Sequence, residues 1–311
     1  MTFYQGKIMY HSAFISGKKC YVFGDNNYGK LGLGSQYTII YNPTELTIPN
    51  EQIISITCGD DHTVVLTLSR KCYVFGSNEY GQLGLGGNKG SYIPYELTIP
   101  NEKIIFVTCG DDHTMILTSS RKCYVFGNNY NGQLGLGHKN NINIPTELLI
   151  PNEEITSVIG KYLNSAVLTS SGKCYVCGFN ECGQLGLGHN NRVNTLTELV
   201  LPNEKIISVA CGRDHNMILT FSRKCYVFGF NSDSQLGLKH DNNINVPTLL
   251  TNKVDVPTLL ANKVDKLMNL QFITLDWNIE RLLWLAKMKN EDSKLALLPD
   301  EIIRYLRTFL I

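Results

Sequence analysis

The sequence has almost no net charge, because its 28 lysines and arginines face 27 aspartates and glutamates among 311 residues. Such a balance gives no overall electrostatic reason to expect a nucleic-acid or membrane partner, so only local clusters of charge could bind one. No apolar run approaches the roughly 20 residues of a bilayer span. Residues 1–7 also lack the basic-then-apolar pattern of a secretion signal. We therefore expect a protein of the cytoplasm or the nucleus.

Motifs of nucleotide and hydrolytic chemistry are also missing. Gly-Lys-Ser and Gly-Lys-Thr never occur, and no strand-to-helix pattern surrounds the glycine-rich segment 132–137. Asp-His pairs at 61–62, 112–113 and 214–215 could suggest acid–base catalysis. A pair that recurs along the chain is better explained as a device that fixes a turn. We expect no enzymatic activity, no cofactor and no metal.

The ten cysteines follow the same logic, since most of them occupy repeated positions. Cys174 and Cys177 have the spacing of half a zinc site, but residues three apart on a strand point to opposite faces. The sequence therefore predicts free, buried thiols in a reducing compartment.

What the sequence does contain is a repeat. A Lys-Cys pair recurs at Cys20, Cys72, Cys123, Cys174 and Cys225, at intervals of 51 or 52 residues. A fixed period of this size indicates a repeat architecture. Within one unit, residues 53–58, 63–67, 72–75 and 95–99 have the β-branched and aromatic composition of short strands. Four strands per unit predict an all-β protein, a β-propeller of about five four-stranded blades over residues 1–250.

Three motifs recur in the units: Cys-Gly-x-x-His-Thr, Tyr-Val-Phe-Gly and Asn-x-x-Gly-Gln-Leu-Gly-Leu-Gly. They resemble the repeats of the regulator of chromosome condensation family, over roughly residues 1–250. The resemblance implies a β-propeller, usually seven-bladed, of a kind used for guanine-nucleotide exchange on a small nuclear GTPase, for chromatin binding and for protein–protein scaffolding.

This chain departs from the family pattern. It has five recognisable repeats, the fourth reads Gly160-Lys-Tyr-Leu-Asn164 where others carry Cys-Gly-x-Asp-His, and the last glycine loop is altered at Ser234 and Lys239. Five blades could close into a smaller ring, with a strand near residues 6–10 pairing with the far end of the chain. An open arc is the alternative, and its unpaired edges would favour dimerisation.

The end of the chain differs from the repeats. Residues 246–255 are repeated almost identically as residues 256–265, and we interpret residues 251–276 as a duplicated linker or edge segment. Residues 277–311 have helical periodicity, predicting a short α-helical C-terminal element. Its Leu-Pro-Asp-Glu-Ile-Ile sequence resembles an F-box or a SOCS box, which implies binding to an adaptor of a cullin-type ubiquitin ligase. The alternative is that the helices cap the propeller. The candidate adaptor-binding residues are Trp284, Leu298, Pro299, Ile302 and Ile303.

Basic residues cluster at the turn between the second and third strands of each unit. In a four-stranded meander this turn lies on the face opposite the first and third connections, so the sequence predicts one basic face and one acidic face. The basic face could bind an acidic protein, nucleosomal DNA or anionic lipid through salt-sensitive contacts. Nearby glutamates favour instead a solvated rim of neutralised charges. The candidate partner-binding residues are Arg70, Lys71, Arg121, Lys122, Arg223 and Lys224.

The function that the sequence favours is a non-enzymatic protein–protein interaction module. One alternative is a guanine-nucleotide exchange factor for a small GTPase. The other is a substrate receptor of a cullin-type ubiquitin ligase, in which the propeller selects the substrate and the C-terminal helices bind the adaptor. Protein partners are thus expected, chromatin or nucleic acid is not favoured, and a membrane is not expected.

Overall fold

The structure is a computed structural model that describes residues 2–5, 11–34 and 38–250. The predicted C-terminal helices and the residues Trp284, Leu298, Pro299, Ile302 and Ile303 lie outside the described residues. Within the described residues, no helix has the length and apolar character needed to cross a membrane.

The described chain forms five four-stranded antiparallel sheets, each a meander of four consecutive strands. We number these sheets blades 1 to 5. Blade 1 contains β1 (Thr2–Gln5), β2 (His11–Ser16), β3 (Lys19–Asp25) and β4 (Ile39–Leu46); blade 2 contains β5 (Ile53–Cys58), β6 (His62–Thr67), β7 (Cys72–Gly76) and β8 (Ser91–Leu97). Blade 3 contains β9 (Ile104–Cys109), β10 (His113–Thr118), β11 (Cys123–Gly127) and β12 (Ile142–Leu148). Blade 4 contains β13 (Ile155–Lys161), β14 (Asn164–Thr169), β15 (Cys174–Gly178) and β16 (Val193–Leu199); blade 5 contains β17 (Ile206–Cys211), β18 (His215–Thr220), β19 (Cys225–Gly229) and β20 (Ile244–Leu249).

The blades pack face to face, which explains why their central strands are apolar throughout. All six residues of β6, of β10 and of β14 are buried. Alternate residues of β6 face different neighbours: Val65 packs in a cluster with blade 1, and Val64 packs in a cluster with blade 3. Two further clusters join blades 3 and 4 and blades 4 and 5. The all-β architecture of five four-stranded blades is thus confirmed.

The predicted strand boundaries hold for the first three strands of a blade but not for the fourth. Residues 53–58, 63–67 and 72–75 coincide with β5, β6 and β7 to within one residue at each end. The fourth strand was placed at 95–99, whereas β8 begins at Ser91 and ends at Leu97. It contains Pro94, beside a register shift between Val74 and Gly76 of the partner strand. Proline is tolerated there because β8 is an edge strand and its pairing is interrupted.

The N-terminal strand that the structure describes belongs to blade 1, and closure of a ring by the segment near residues 6–10 stays a prediction. β1 pairs with β2 inside blade 1, with Thr2 opposite Ile15 and Gln5 opposite Ser12. Residues 6–10, where the closing strand was expected, lie outside the described residues. Blade 1 is therefore complete with consecutive strands, as are the other four.

Candidate functional site

Each blade presents two sets of connections. The connections between its first and second and between its third and fourth strands lie at one end of the sheet, and we call the surface they form the loop face. The hairpins between the second and third strands lie at the other end, and we call their surface the turn face. The strand order of the meanders requires this division.

The turn face carries the basic residues predicted from the sequence, at the tips of tight hairpins. Arg70, Arg121 and Arg223 have positive φ angles of 67°, 64° and 63°, and Gly172 occupies the same position in blade 4 with a φ of 84°. All three arginines are exposed, and the Arg70 guanidinium donates a long hydrogen bond to the Ile105 carbonyl at 3.5 Å. A positive φ is a conformation that glycine adopts without strain. The backbone conformation therefore does not explain why arginine occupies these positions.

The lysines beside these arginines are paired with glutamates. Lys71 Nζ lies 3.4 Å from Glu51 Oε1 and 3.5 Å from Glu96 Oε2. The Ser69 hydroxyl also donates to Glu51, and this bond is the main cause that lowers the pKa of Glu51. The same arrangement recurs at Lys122 with Glu102, Lys173 with Glu153 and Lys224 with Glu204. The lysine charges are therefore paired with glutamates, although the lysine side chains are exposed like those of the arginines.

The loop face is anchored by histidines that reach from one blade to the next. His62 Nε2 lies 3.0 Å from the Thr114 hydroxyl, and His113 Nε2 lies 3.0 Å from the Ser165 hydroxyl. The Thr114 hydroxyl in turn donates to the Gln82 carbonyl at 2.8 Å. A hydroxyl has one hydrogen to give, so the histidine must donate to it through Nε2–H. The repeated Asp-His pairs are thus structural, as their recurrence predicted.

Burial of these histidines keeps their side chains neutral. It also explains why the Cys-Gly-x-x-His motif contains glycine. Burial lowers the pKa of His11 and of His62 to about 3, and that of His113 to about 4. A Cβ atom on Gly110 would lie 2.0 Å from the His113 ring. The motif therefore needs glycine for the imidazole to pack on the backbone.

Most cysteines of the described residues are buried thiols of the blades. Burial raises the pKa of Cys20 and of Cys174 to about 12. Cys174 lies in the apolar cluster between blades 4 and 5, whereas Cys177 Sγ approaches Gly135 of blade 3. The two thiols therefore point to opposite faces of their strand, as the spacing predicted.

Blade 1 places a buried cation where its siblings carry glutamine. Lys30 is 1% exposed, with Nζ 2.6 Å from Asp25 Oδ2 and 2.5 Å from Asp61 Oδ1 of blade 2. Burial alone would lower the pKa of Lys30, but its hydrogen bonds to these carboxylates outweigh burial and raise it. In blades 2 to 4 the equivalent residues are Gln82, Gln133 and Gln184. Lys30 is thus a tie between blades, and its charge is not available to a partner.

The acidic residues of the loop face are unevenly distributed among the blades. Blades 2 and 3 carry Asp60, Asp61, Asp111 and Asp112 in their first connections. In blades 4 and 5 the position of Asp60 and Asp111 is taken by Tyr162 and Arg213, although blade 5 keeps Asp214. The net negative charge that the sequence indicates for this face stays a prediction.

The substituted residues form a continuous stack, which we call the aromatic–arginine patch: Tyr162, Phe179, Arg192 and Arg213. The Arg213 guanidinium lies 4.6 Å from the centre of the Tyr162 ring and donates to its hydroxyl at 3.2 Å. The Tyr162 ring meets Phe179 edge to face at 6.3 Å. Arg192 lies 5.2 Å from the Phe179 ring and pairs with Glu181.

Sequence reasoning missed this patch because it concentrated on what the repeats share. Tyr162 and Arg213 stand where blades 2 and 3 carry aspartate, and Phe179 stands where they carry serine and asparagine. Departure from the repeat was the available signal. The patch joins blades 4 and 5, whereas the candidate arginines at positions 70, 121 and 223 lie apart from it on the turn face.

Comparisons with known proteins agree with this architecture. The family model of the regulator of chromosome condensation (RCC1) repeat matches residues 19–66, 71–117, 122–160, 171–219 and 224–263. The chain is 30% identical to the ultraviolet-B receptor UVR8 of Arabidopsis thaliana over 231 residues, covering 73% of this chain and 52% of that protein. It is 34% identical to the X-linked retinitis pigmentosa GTPase regulator of Canis lupus familiaris over 300 residues, covering 78% of this chain and 30% of that protein.

A solved structure shows the same fold. The Prp20p structure from Saccharomyces cerevisiae superposes with a TM-score of 0.67 at 23% identity, covering 78% of this chain and 62% of that chain. That structure was described together with the binding of Prp20p to Gsp1p and histones. The chain spans about half or less of the length of the two sequence relatives.

Proposed function

The chain belongs to the regulator of chromosome condensation (RCC1) repeat family, and on that premise we propose that it is a non-enzymatic scaffold that binds a protein partner through the aromatic–arginine patch. The observation that carries this proposal is the stack of the exposed Arg213 on the half-buried Tyr162, continued by the half-buried Phe179 and the exposed Arg192. Aromatic and arginine side chains dominate the binding energy of protein–protein interfaces.

The repeat itself supports assigning this patch to binding and not to folding. Blades 2 and 3 form the same connection with Asp60 and Asp111 in place of the patch residues. Their neighbouring turns are joined by backbone hydrogen bonds, from Asp60 N to Asp111 O at 2.8 Å and from Asp111 N to Tyr162 O at 2.9 Å. A blade can therefore be completed without an aromatic stack, and the stack serves another purpose.

The experiment exchanges residues for those of sibling blades, so that each variant is compatible with the fold. The patch variant is Tyr162→Asp with Arg213→Asp, which restores the residues of blades 2 and 3. The control variant is Arg70→Gly with Arg121→Gly and Arg223→Gly, which restores the residue of blade 4. Each protein is used to capture partners from an extract of the source cells, and the captured proteins are identified and their affinities measured with purified components.

We expect the patch variant to lose a partner that the wild type and the turn-face variant retain, with an affinity loss of at least tenfold, about 1.4 kcal/mol. Loss in the turn-face variant alone would assign binding to Arg70, Arg121 and Arg223 instead. Retention of every partner by both variants would refute both surfaces. A steep dependence on salt would distinguish a nucleic-acid contact from a protein contact.

Guanine-nucleotide exchange is a second candidate, favoured by the names of the relatives. One relative is described as a GTPase regulator, and the Prp20p structure was described with its binding to Gsp1p. This candidate predicts faster release of a fluorescent GDP analogue from a purified small GTPase of the source organism. A release rate that does not change with the concentration of this protein would exclude exchange on that GTPase.

The alternative role as a substrate receptor of a ubiquitin ligase is tested in the same capture experiment. The residues proposed to bind the adaptor lie outside the described residues. This candidate predicts that a cullin adaptor is captured by the full chain and lost when residues 277–311 are deleted. Capture of an adaptor by the deleted chain would place its binding elsewhere.

A further inference from the structure

Three junctions between blades share one buried hydrogen-bonded group. At the junctions from blade 1 to 2, 2 to 3 and 3 to 4, a histidine Nε2 lies 3.3, 3.0 and 3.0 Å from a hydroxyl of the next blade. Each hydroxyl also donates to a backbone carbonyl of the glycine loop, at 2.7, 2.8 and 2.6 Å. The Nε2 atom, the hydroxyl and the carbonyl are thereby paired at each of these junctions, whereas Nδ1 of His62 and of His113 has no hydrogen-bond partner within the described residues.

The junction from blade 4 to 5 is built from different residues. Asn164 stands at the histidine position and Asn216 at the hydroxyl position, and they are 3% and 4% exposed. Asn216 Nδ2 keeps the bond to the glycine loop, donating to the Gln184 carbonyl at 2.5 Å. Asn164 Oδ1, Asn164 Nδ2 and Asn216 Oδ1 have no hydrogen-bond partner within the described part of the chain.

Three unsatisfied buried polar atoms are costly, at about 1–3 kcal/mol for each group that is removed from water without a partner. The two amides do not bond directly to each other, because neither amide atom of Asn164 has a hydrogen-bond partner within the described residues. The side chain two residues along the same strand is also small: Ala166 replaces the Met115 of blade 3. The junction therefore combines unsatisfied polar groups with reduced side-chain volume.

We propose that one ordered water molecule is bound between Asn164 and Asn216 and completes this junction. The water accepts a hydrogen bond from Asn164 Nδ2. It donates one hydrogen to Asn216 Oδ1, and the other to Asn164 Oδ1 or to a neighbouring acceptor. Two to four hydrogen bonds to otherwise unsatisfied groups are typical of buried waters. A metal ion does not fit, because it would require several oxygen ligands and would be repelled by the amide N–H groups.

The bound water makes this junction differ from the other three at the same place where the aromatic–arginine patch lies. Tyr162 and Asn164 belong to one connection of blade 4, and Arg213 and Asn216 belong to the equivalent connection of blade 5. Arg213 donates a hydrogen bond to the Tyr162 hydroxyl and contacts its ring at the surface of the same junction, so the proposed water lies close to the patch.

The direct test is a crystal structure of the full chain at a resolution that shows ordered water. We expect a density peak within hydrogen-bond distance of both Asn164 and Asn216. Two amide side chains bonded directly to each other, with no peak between them, would overturn the proposal.

A pair of exchange variants tests the same site by its stability. Asn164→His with Lys161→Gly and Asn216→Thr gives this junction the residues of blades 2 and 3, including the glycine on which the imidazole packs, so we expect the peak to vanish and the unfolding equilibrium constant to fall about tenfold. The reciprocal variant, His113→Asn with Ser165→Asn, should gain a peak and unfold more readily by about the same factor. If the first variant does not fold, the wild-type and reciprocal structures still decide. A peak that persists beside the introduced imidazole would contradict the assignment.

Discussion

At the residue scale, the buried histidines are neutral because burial lowers their pKa values, and each one donates from Nε2–H to a hydroxyl whose own hydrogen is given to a carbonyl. Such a group makes folding dependent on pH. The unfolded chain binds protons near the ordinary histidine pKa of 6.5, whereas burial lowers the pKa of His62 to about 3 and that of His113 to about 4. Between these values the unfolded state binds more protons, so the free energy of unfolding falls as the pH falls.

We therefore predict that the stability is fully present above pH 6.5 and declines from there towards pH 4, with each buried histidine contributing up to about 1.4 kcal/mol per pH unit. Urea unfolding measured between pH 4.5 and pH 7.5 gives this slope. His62→Gln and His113→Gln should each flatten it, and His189→Gln, in an exposed loop, should leave it unchanged. An equal slope in all four proteins would show that the histidines titrate normally in the folded state.

A second residue-scale feature is a pair of substitutions that compensate each other. In blade 3 Phe126 fills the space above Gly84, whereas in blade 4 its equivalent is Cys177, whose sulfur lies 3.0 Å from the position of a Cβ on Gly135. The side chain of Leu196 lies 3.1 Å from the same point, where other blades carry proline. The larger leucine thus replaces the volume that the smaller cysteine gives up.

We predict that Cys177→Phe alone overpacks this site and lowers the free energy of unfolding by about 2 kcal/mol. Leu196→Pro alone removes packing and also destabilises. The double variant restores the residues of blade 3 and should recover at least half of the summed loss. A double-mutant cycle from urea unfolding measures the coupling, and additive effects within about 0.5 kcal/mol would mean that the two side chains do not share the site.

At the scale of the element, the connection between the first and second strands is a rigid piece that depends on one glycine. Gly110 has an ordinary φ angle, so its role is close contact: a Cβ there would strike the His113 ring and the Tyr162 carbonyl. Gly87, in the loop after β7, also lacks a positive φ, and a Cβ there would meet nothing within 4 Å. Neither glycine has a positive φ, so a comparison of their alanine variants shows the effect of the contact made by the added Cβ.

We predict that Gly110→Ala lowers the free energy of unfolding by about 3 kcal/mol, because it displaces the imidazole and its hydrogen bond. Gly87→Ala should change it by less than about 0.5 kcal/mol. Both values come from urea unfolding at pH 7.5. Equal effects of the two substitutions would show that the contact with the histidine ring can relax at little cost.

The strands show what the sequence could and could not predict at this scale. β5, β6 and β7 were readable because a two-sided buried strand is apolar at every position. The predicted start of β8 was wrong by four residues. β8 is an edge strand that pairs irregularly, and its exposed residues and Pro94 do not give the pattern of a strand. The pattern of apolar residues in a strand reflects which of its residues are buried, so an outer strand that is mostly solvated has little of that pattern.

At the scale of the whole molecule, the repeat predicted the blades but concealed the site. Shared residues such as His62 and Gln82 serve the fold, and they are the ones that a repeat makes visible. The aromatic–arginine patch and the asparagine junction both arise where repeats four and five depart from their siblings, at Tyr162, Asn164 and Arg213. Their proximity depends on which blades are neighbours and which connections share a face, so it could be read only from the structure.

The four apolar clusters lie between successive blades and are formed by residues between Ala13 and Ile244. The chain accordingly divides into two compact units, Met1–Asp265 and Lys266–Ile311. We predict that a chain ending at Asp265 folds by itself, with the same denaturant dependence of unfolding as the full chain, because that dependence scales with the surface exposed on unfolding.

The matched control ends at Lys205, between blades 4 and 5, and so exposes the cluster of Val176, Leu185 and Leu199. It should unfold at a lower urea concentration and bind a hydrophobic dye, because an uncovered apolar face is unstable in water. Circular dichroism and urea unfolding compare the three chains. If the chain ending at Asp265 behaved like the control, the last 46 residues would be required for the stability of the blades, and the capture experiment with residues 277–311 deleted would have to be read as a loss of folding.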